Sequence, residues 1–249
     1  MIPNGAGEDE FLMENNYEIR KRLHIPNDNF LILHVGSHTG LKGHKEIMEI
    51  FDQANIANAT LLIVGNFISN NINLFQKIKQ LFIPLKYWFK KEAPNCPDLC
   101  RYYQIKFNLR KANRKNRKKI IIKNFNRDQT IAAYHAANLF LFPSQIECSP
   151  LVLFEAMASK TPFLTTNVGN SAEIIKWTNA GLLLPTIGMD NGYVKAEVNE
   201  SAKILEELIK NNELLERLAS NGFRCWQESF TWEIISNKYE QLYLNLINV

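Results

Sequence analysis

The sequence predicts a doubly wound α/β fold, a Rossmann-like six-stranded parallel sheet followed by C-terminal helices. Three observations predict it. Short β-branched and leucine-rich runs alternate with helical patterns; those runs are continuous in apolar character, as strands covered on both faces should be; and from Glu197 onward only helical patterns occur.

Taken in order, Leu31-Ile-Leu-His-Val-Gly36, Thr60-Leu-Leu-Ile-Val-Gly65, Ile120-Ile-Ile-Lys-Asn124, Leu139-Phe-Leu-Phe-Pro143, Phe163-Leu-Thr-Thr-Asn167 and Gly181-Leu-Leu-Leu-Pro185 read as the strands. Helical patterns cover residues 45–57, 72–82, 129–137 and 151–159 between them, and 197–210, 213–228 and 232–247 after them. Parallel strands joined by helices imply right-handed crossovers and a single domain. One connection is out of proportion, residues 84–119, about thirty residues longer than such links need.

That stretch also dominates the charge. The chain has 249 residues and a formal net charge of +4. Between Lys86 and Arg127 stand 14 Lys or Arg against Glu92 and Asp98, a balance of +12 in 42 residues, while the rest, with 15 basic and 23 acidic residues, is −8. The protein reads as an acidic domain with a basic insertion. Within it, Leu81-Phe-Ile-Pro-Leu-Lys-Tyr-Trp-Phe-Lys-Lys91 mixes aromatics with lysines, and Arg110 to Lys119 holds seven cations in ten residues. Such a segment (81–119) suits an anionic membrane surface, whereas nucleic-acid binding has no motif behind it.

No apolar run approaches the roughly 18 residues of a spanning helix. The acidic N-terminal stretch lacks the apolar core of a secretory signal, so the expected address is cytoplasmic, peripheral at the inner membrane face if the insertion docks there. Four cysteines, Cys96, Cys100, Cys148 and Cys225, are too scattered for a disulfide framework. Cys96 and Cys100 form a C-x3-C pair, but no second Cys or His pair lies near in sequence, and there is no D-x-D pair. No metal and no cofactor is expected.

Ligands of open parallel sheets bind beyond the carboxyl ends of the strands. After the first strand, Gly36-Ser37-His38-Thr39-Gly40-Leu41-Lys42-Gly43 is a glycine-rich turn feeding a helix, with one lysine beside it, a pattern suited to phosphate. After the fourth strand, Pro143-Ser-Gln-Ile-Glu147-Cys-Ser-Pro-Leu-Val-Leu-Phe-Glu155 puts Ser149 as N-cap and Pro150 at the first helical position, a second anion site. Glu147 and Glu155 fall roughly 10–12 Å apart along that helix axis at 1.5 Å rise per residue. That is the layout of a nucleoside diphosphate sugar, with hydroxyls at either end and diphosphate between. Glu155 lies among Leu153, Phe154, Ala156 and Met157 and so requires a partner. Val168-Gly169-Asn170-Ser171 adds another turn, and Asn124-Phe125-Asn126-Arg127-Asp128 follows the third strand where a base could be flanked. Trp226, Trp232, Tyr239 and Tyr243 at helical spacing read as core, and His135 as a satisfied or surface histidine.

Ile2-Pro-Asn-Gly5 with the acids and Phe11 after it, Val35-Gly36, Lys42-Gly43, Pro143-Ser144, Glu147 and Glu155 with Ala156-Met157-Ala158, Val168-Gly169, Glu173 and Phe230-Thr-Trp232 together resemble retaining glycosyltransferase family 4 (glycosyl transferases group 1). The resemblance implies the C-terminal, donor-binding half of a GT-B fold, and an enzyme of the hexosyltransferase class. It implies that Lys42 binds the donor diphosphate, that Glu147 faces the transferred sugar, making these two the catalytic candidates, and that Glu155 holds the ribose. It also implies that backbone amides of Cys148, Ser149 and Leu151 hold donor oxygens, Pro150 having none to give. Gly36, Ser37, Asn124 and Phe125 complete the expected donor site. Two departures stand out. The family usually has Arg where Ser37 stands, so part of the diphosphate neutralisation must come from elsewhere, His38 being one source. The Pro-Asn-Gly segment, residues 1–29 serving as hinge and entry, normally follows an N-terminal acceptor domain, so that domain is expected in cis or as a separate subunit. An alternative expectation is a non-catalytic docking or regulatory subunit that keeps the nucleotide-sugar fold.

Overall fold

The computed structural model describes residues 2–12, 18–65 and 95–247. The helix expected over 72–82 and the aromatic and lysine segment 81–91 lie outside the described residues.

Two short helices, α1 (Glu8–Phe11) and α2 (Ile19–Arg22), precede the first strand. Then follow β1 (Phe30–Val35), α3 (His44–Gln53), β2 (Ala59–Val64), α4 (Cys96–Leu109), α5 (Lys111–Lys115), β3 (Lys119–Lys123), α6 (Arg127–Ala136), β4 (Leu139–Phe142), α7 (Leu151–Ala158), β5 (Phe163–Thr165), α8 (Ser171–Thr178) and β6 (Gly181–Leu183). A hairpin of β7 (Thr186–Gly188) and β8 (Val194–Ala196) leads into α9 (Val198–Ile209), α10 (Asn212–Ser229) and α11 (Trp232–Ile247). All six expected strands are present and parallel, in the order β3-β2-β1-β4-β5-β6. Strand order therefore reverses between β1 and β4, the switch point at which doubly wound sheets open a crevice.

Alternate residues of each strand serve opposite faces, and both faces are apolar. Leu31, Leu33, Leu62 and Val64 join one core with Phe140, Phe142, Phe154 and Trp226. Ile32, Leu61, Ile63, Leu139 and Leu141 join the other with Ile47, Phe51 and Leu205.

The N-terminal segment is bound to the far end of the chain. Ala6 N donates to Phe230 O at 3.1 Å, Trp226 Nε1 donates to Ala6 O at 3.1 Å, and Phe11 is buried with its ring 6.3 Å from that of Tyr134.

The described part of the basic segment is mostly helical and partly built into the fold. Lys118 is buried, and its ammonium donates to the carbonyls of Phe51 (2.7 Å), Ala54 (2.8 Å) and Asp52 (3.3 Å). These are the orphan carbonyls at the C-terminus of α3, where a cation also meets the negative end of the helix dipole. Arg110 pairs with Asp52 and Arg117 with Asp28.

Two expectations need correction. Trp226 is core, but Trp232, Tyr239 and Tyr243 are 40%, 41% and 59% exposed, because α11 turns them outward together with Leu242, Leu244, Leu246 and Ile247. The hairpin β7–β8 has no counterpart in the expected elements. Its strands are three residues each and half polar, below the length at which alternation is legible.

Lys118→Met keeps the stem and removes the cap, leaving three carbonyls without their donor. Urea denaturation is expected to show a loss of about 2–3 kcal/mol with an unchanged m-value.

Candidate functional site

Two loops meet over the switch point. Residues 36–43 leave β1 and residues 143–150 leave β4, and Gln145 N donates to Leu41 O at 2.9 Å to tie them together. Gly43 makes this contact possible. It sits in the left-handed region at φ +73°, and a Cβ there would come within 1.9 Å of the Pro143 carbonyl oxygen. Any side chain would push the loops apart.

That approach places Lys42 against Glu147. Lys42 Nζ lies 2.5 Å from Glu147 Oε1, and Ser144 Oγ donates to the same oxygen at 2.8 Å. Both side chains are largely covered, 28% and 12% exposed. An ammonium and a carboxylate are thus held side by side at the mouth of the crevice, with two further ammonium protons available to a ligand.

Behind Glu147 the chain enters α7. The N-cap is Pro150, not Ser149, and no side chain caps the helix. Ser149 is turned inward, its hydroxyl buried without a hydrogen-bond partner. The correction has a local cause, because the loop is bound elsewhere. Asn4 Nδ2 donates to Ser149 O at 3.2 Å, and Asn170 N donates to Cys148 O at 3.1 Å. Gly169, at φ +53°, lets the turn before α8 pack there, since a Cβ would fall 2.2 Å from Cys148 O. Asn170 Oδ1 and Ser171 Oγ are likewise buried without partners. An uncapped helix N-terminus therefore lies among several unsatisfied polar atoms, an arrangement that suits a bound anion.

Glu155, two turns into α7, has the partner its surroundings demanded. Arg127 Nη1 donates to it at 2.5 Å, while Arg127 Nε and Nη2 grip Glu10 at 2.8 and 2.7 Å. Arg127 is the first residue of α6, held in place by a capping box in which Asn126 and Gln129 exchange hydrogen bonds. The guanidinium also covers the Phe11 ring at 5.5 Å. The hydrogen bond to Glu10, then the Glu155 charge, hold Arg127 protonated against the cost of burial, and Arg127 holds the Glu10 carboxyl below its usual range. Tyr134, fully buried near Glu155, is kept un-ionised by burial first and by that carboxylate second.

The fold thus brings Gly36, Lys42, Glu147, Cys148, Ser149, Leu151 and Glu155 to one edge of the sheet. Ser37 and Cys148 are exposed there, Leu151 is 45% exposed, and Asn124 and Phe125 stand half-buried after β3, with Phe125 packed on the core. His38 takes another direction, toward Cys96. Sequence reasoning missed Arg127 as a member of the site. The available signal was the Asn126-Arg127-Asp128-Gln129 capping pattern directly after a strand.

A 3-2-1-4-5-6 parallel sheet with a cation and a carboxylate meeting over its switch point defines a doubly wound, Rossmann-like α/β domain. The chain belongs to the glycosyl transferases group 1 family, whose model matches residues 15–224. It is 25% identical over 242 residues to the capsular polysaccharide biosynthesis glycosyltransferase CapM of Staphylococcus aureus, an alignment covering 96% of this chain and 52% of that protein. Among solved structures it resembles sucrose-phosphate synthase from Thermosynechococcus elongatus, with a TM-score of 0.67 at 23% identity over 99% of this chain and 52% of that one. It also resembles Anabaena HepE in complex with UDP-glucose, with a TM-score of 0.60 at 18% identity over 93% and 52% of the two chains. The fold is that of one half of GT-B glycosyltransferases. The chain spans about half the length of the relatives it matches.

Arg127→Ala strips two carboxylates of their cation at once. Urea denaturation at pH 7 is expected to show a loss of roughly 1 kcal/mol, discounted for exposure. Glu10 has a lowered pKa in the fold, so its contribution is present above its unfolded pKa and fades as pH falls through the folded value. The difference between Arg127→Ala and wild type should therefore shrink below about pH 4.

Proposed function

We propose that this chain is the donor-binding half of a retaining glycosyltransferase. It takes a nucleoside diphosphate sugar, of hexose type, and positions it for transfer to a glycan or lipid-linked acceptor held by an N-terminal domain, in cis or as a separate subunit. The observation that carries this reading is the Lys42–Glu147 pair across the switch point, at the mouth of an uncapped helix.

In this reading the diphosphate lies between Lys42 and the N-terminus of α7, and Gly36 and Ser37 let the β1 loop approach it. The amides of Cys148, Ser149 and Leu151 and the ammonium of Lys42 stabilise charge as it develops on the leaving diphosphate. No bound metal or cofactor is needed for that step. Glu147, held by Lys42 and Ser144, faces the sugar, and Glu155 takes the ribose hydroxyls while Asn124 and Phe125 flank the base. Arg127 orients Glu155. The UDP-glucose bound by HepE supports this class of ligand.

Calorimetric titration of common nucleoside diphosphate sugars onto the chain should show binding with little or no transfer. Lys42→Ala is expected to weaken it roughly tenfold or more, the worth of one charge-assisted contact, and Glu155→Ala to weaken it by a similar factor. Absence of binding by every donor tried would sink the reading. Ser37→Arg separates it from the alternative of an inherited, idle site in a docking subunit: a working phosphate site gains affinity, an idle one does not change.

The reading extends to a cytoplasmic membrane face through residues 81–119. Among the described residues of that stretch, Lys106, Lys111, Arg114, Lys115 and Lys119 are exposed, and Leu109 is 65% exposed. Cosedimentation with anionic vesicles at low salt, lost as salt rises, is the expected result, and failure to sediment at low salt removes the extension.

A further inference from the structure

The loop after β1 meets α4 at a point the donor site leaves unused. His38 Nδ1 lies 3.5 Å from Cys96 Sγ, and Cys96 Sγ lies 3.7 Å from Cys100 Sγ. The ligating atoms of these three residues all lie within 4.8 Å of one another. A tetrahedral zinc ion, with bonds of about 2.3 Å to sulfur and about 2.05 Å to nitrogen, has sulfur–sulfur edges of about 3.8 Å and sulfur–nitrogen edges of about 3.6 Å. These two spacings match that cage, and the sulfur–sulfur distance is far from the roughly 2.05 Å of a disulfide.

A fourth group stands beside the three, outside their 4.8 Å cluster. His44 is 1% exposed, its ring centroid is 4.2 Å from that of His38, and neither of its ring nitrogens makes a hydrogen bond of ordinary geometry. A buried imidazole that interacts with the Cys96 sulfur stands where a fourth ligand is called for. Behind it His34 packs at 4.7 Å, with Nδ1 committed to Leu141 O at 3.0 Å. We propose that His38, His44, Cys96 and Cys100 form a zinc site that fastens the β1 loop to the first turns of α4.

Local structure prepares both halves. Asn95 caps α4 by accepting from Asp98 N at 3.0 Å, which fixes the first turn and puts Cys96 and Cys100, four residues apart, on one face. Gly65, at the end of β2, leaves room for the imidazole, since a Cβ there would stand 3.0 Å from His38 Cδ2 and 2.2 Å from Gly36 O. On binding, both thiols release their protons to solvent, and two thiolates neutralise the divalent charge, so the occupied site is fit for burial. The sequence shows the C-x3-C pair alone because the histidine pair, H-x5-H, lies in the donor loop more than fifty residues upstream.

The test uses the full chain, stripped of metal in reducing buffer and titrated with Co²⁺. Expected are tetrahedral d–d bands and a thiolate-to-cobalt charge-transfer band that saturate at one equivalent and vanish on adding Zn²⁺. Cys96→Ser and Cys100→Ser should each abolish the charge-transfer band, His44→Gln should weaken binding by about tenfold or more, and Cys225→Ser should change nothing. Circular dichroism of each variant confirms that it is folded. Excess Zn²⁺ over chelator should also raise the melting temperature of the wild type by roughly 5–10 °C. Lack of a charge-transfer band in the wild type overturns the proposal, as does a band that survives loss of both Cys96 and Cys100, or a Cys96–Cys100 disulfide that persists in the reducing buffer. Binding untouched by His44→Gln overturns the four-ligand form.

Discussion

The close approach of the β1 and β4 loops is the constraint on which the site depends. It needs a residue without a Cβ at Gly43, in a conformation other residues avoid, with the Pro143 carbonyl filling the space a side chain would take. From that contact follow the pairing of Lys42 with Glu147, the position of Ser144 behind the carboxylate, and the direction in which the chain enters α7. The sheet supplies the rest by topology. Because strand order reverses between β1 and β4, their helices leave on opposite faces and the two loops diverge beyond the point where they touch, opening the crevice.

Around this contact the electrostatics are arranged in two separate pairs. Lys42 serves Glu147 at one end of the α7 entry, and Arg127 serves Glu155 at the other. Neither carboxylate is left exposed to an apolar surrounding without a cation, which is how a helix as apolar as α7 carries a buried-side acid two turns in. The basic segment, whose charge stands out in the composition, divides on inspection. Lys118 is a structural cap for α3, Arg110 and Arg117 pair with Asp52 and Asp28, and Lys111, Arg114 and Lys115 are exposed.

Much of the fold was legible in the sequence, for a physical reason. Strands buried on both faces are nearly continuous in apolar residues, so Leu31 to Val35 and Thr60 to Val64, interrupted only by His34 and Thr60, stand out against any helical period. The Glu147 and Glu155 spacing and the Lys42-Gly43 pair were legible too, since each is local. What stayed hidden is what depends on chain folding back over distance. Arg127 reaches Glu10, 117 residues away, and no local pattern reports that. Ser149 had the chemistry of an N-cap, but Asn4 and Asn170 hold its loop in another course. Trp232 and Tyr243 had the spacing of core residues, yet α11 lies at the surface with that face outward.

One guanidinium, finally, answers to two masters. Arg127 joins Glu10, on the segment by which the chain is entered, to Glu155, on the helix that borders the crevice. A ligand that draws on Glu155 alters the share of charge left for Glu10, and a shift of the entry segment alters the share left for Glu155. In the proposed reading, occupancy of the crevice and the posture of the segment would be linked quantities, each moving the other by the same free energy.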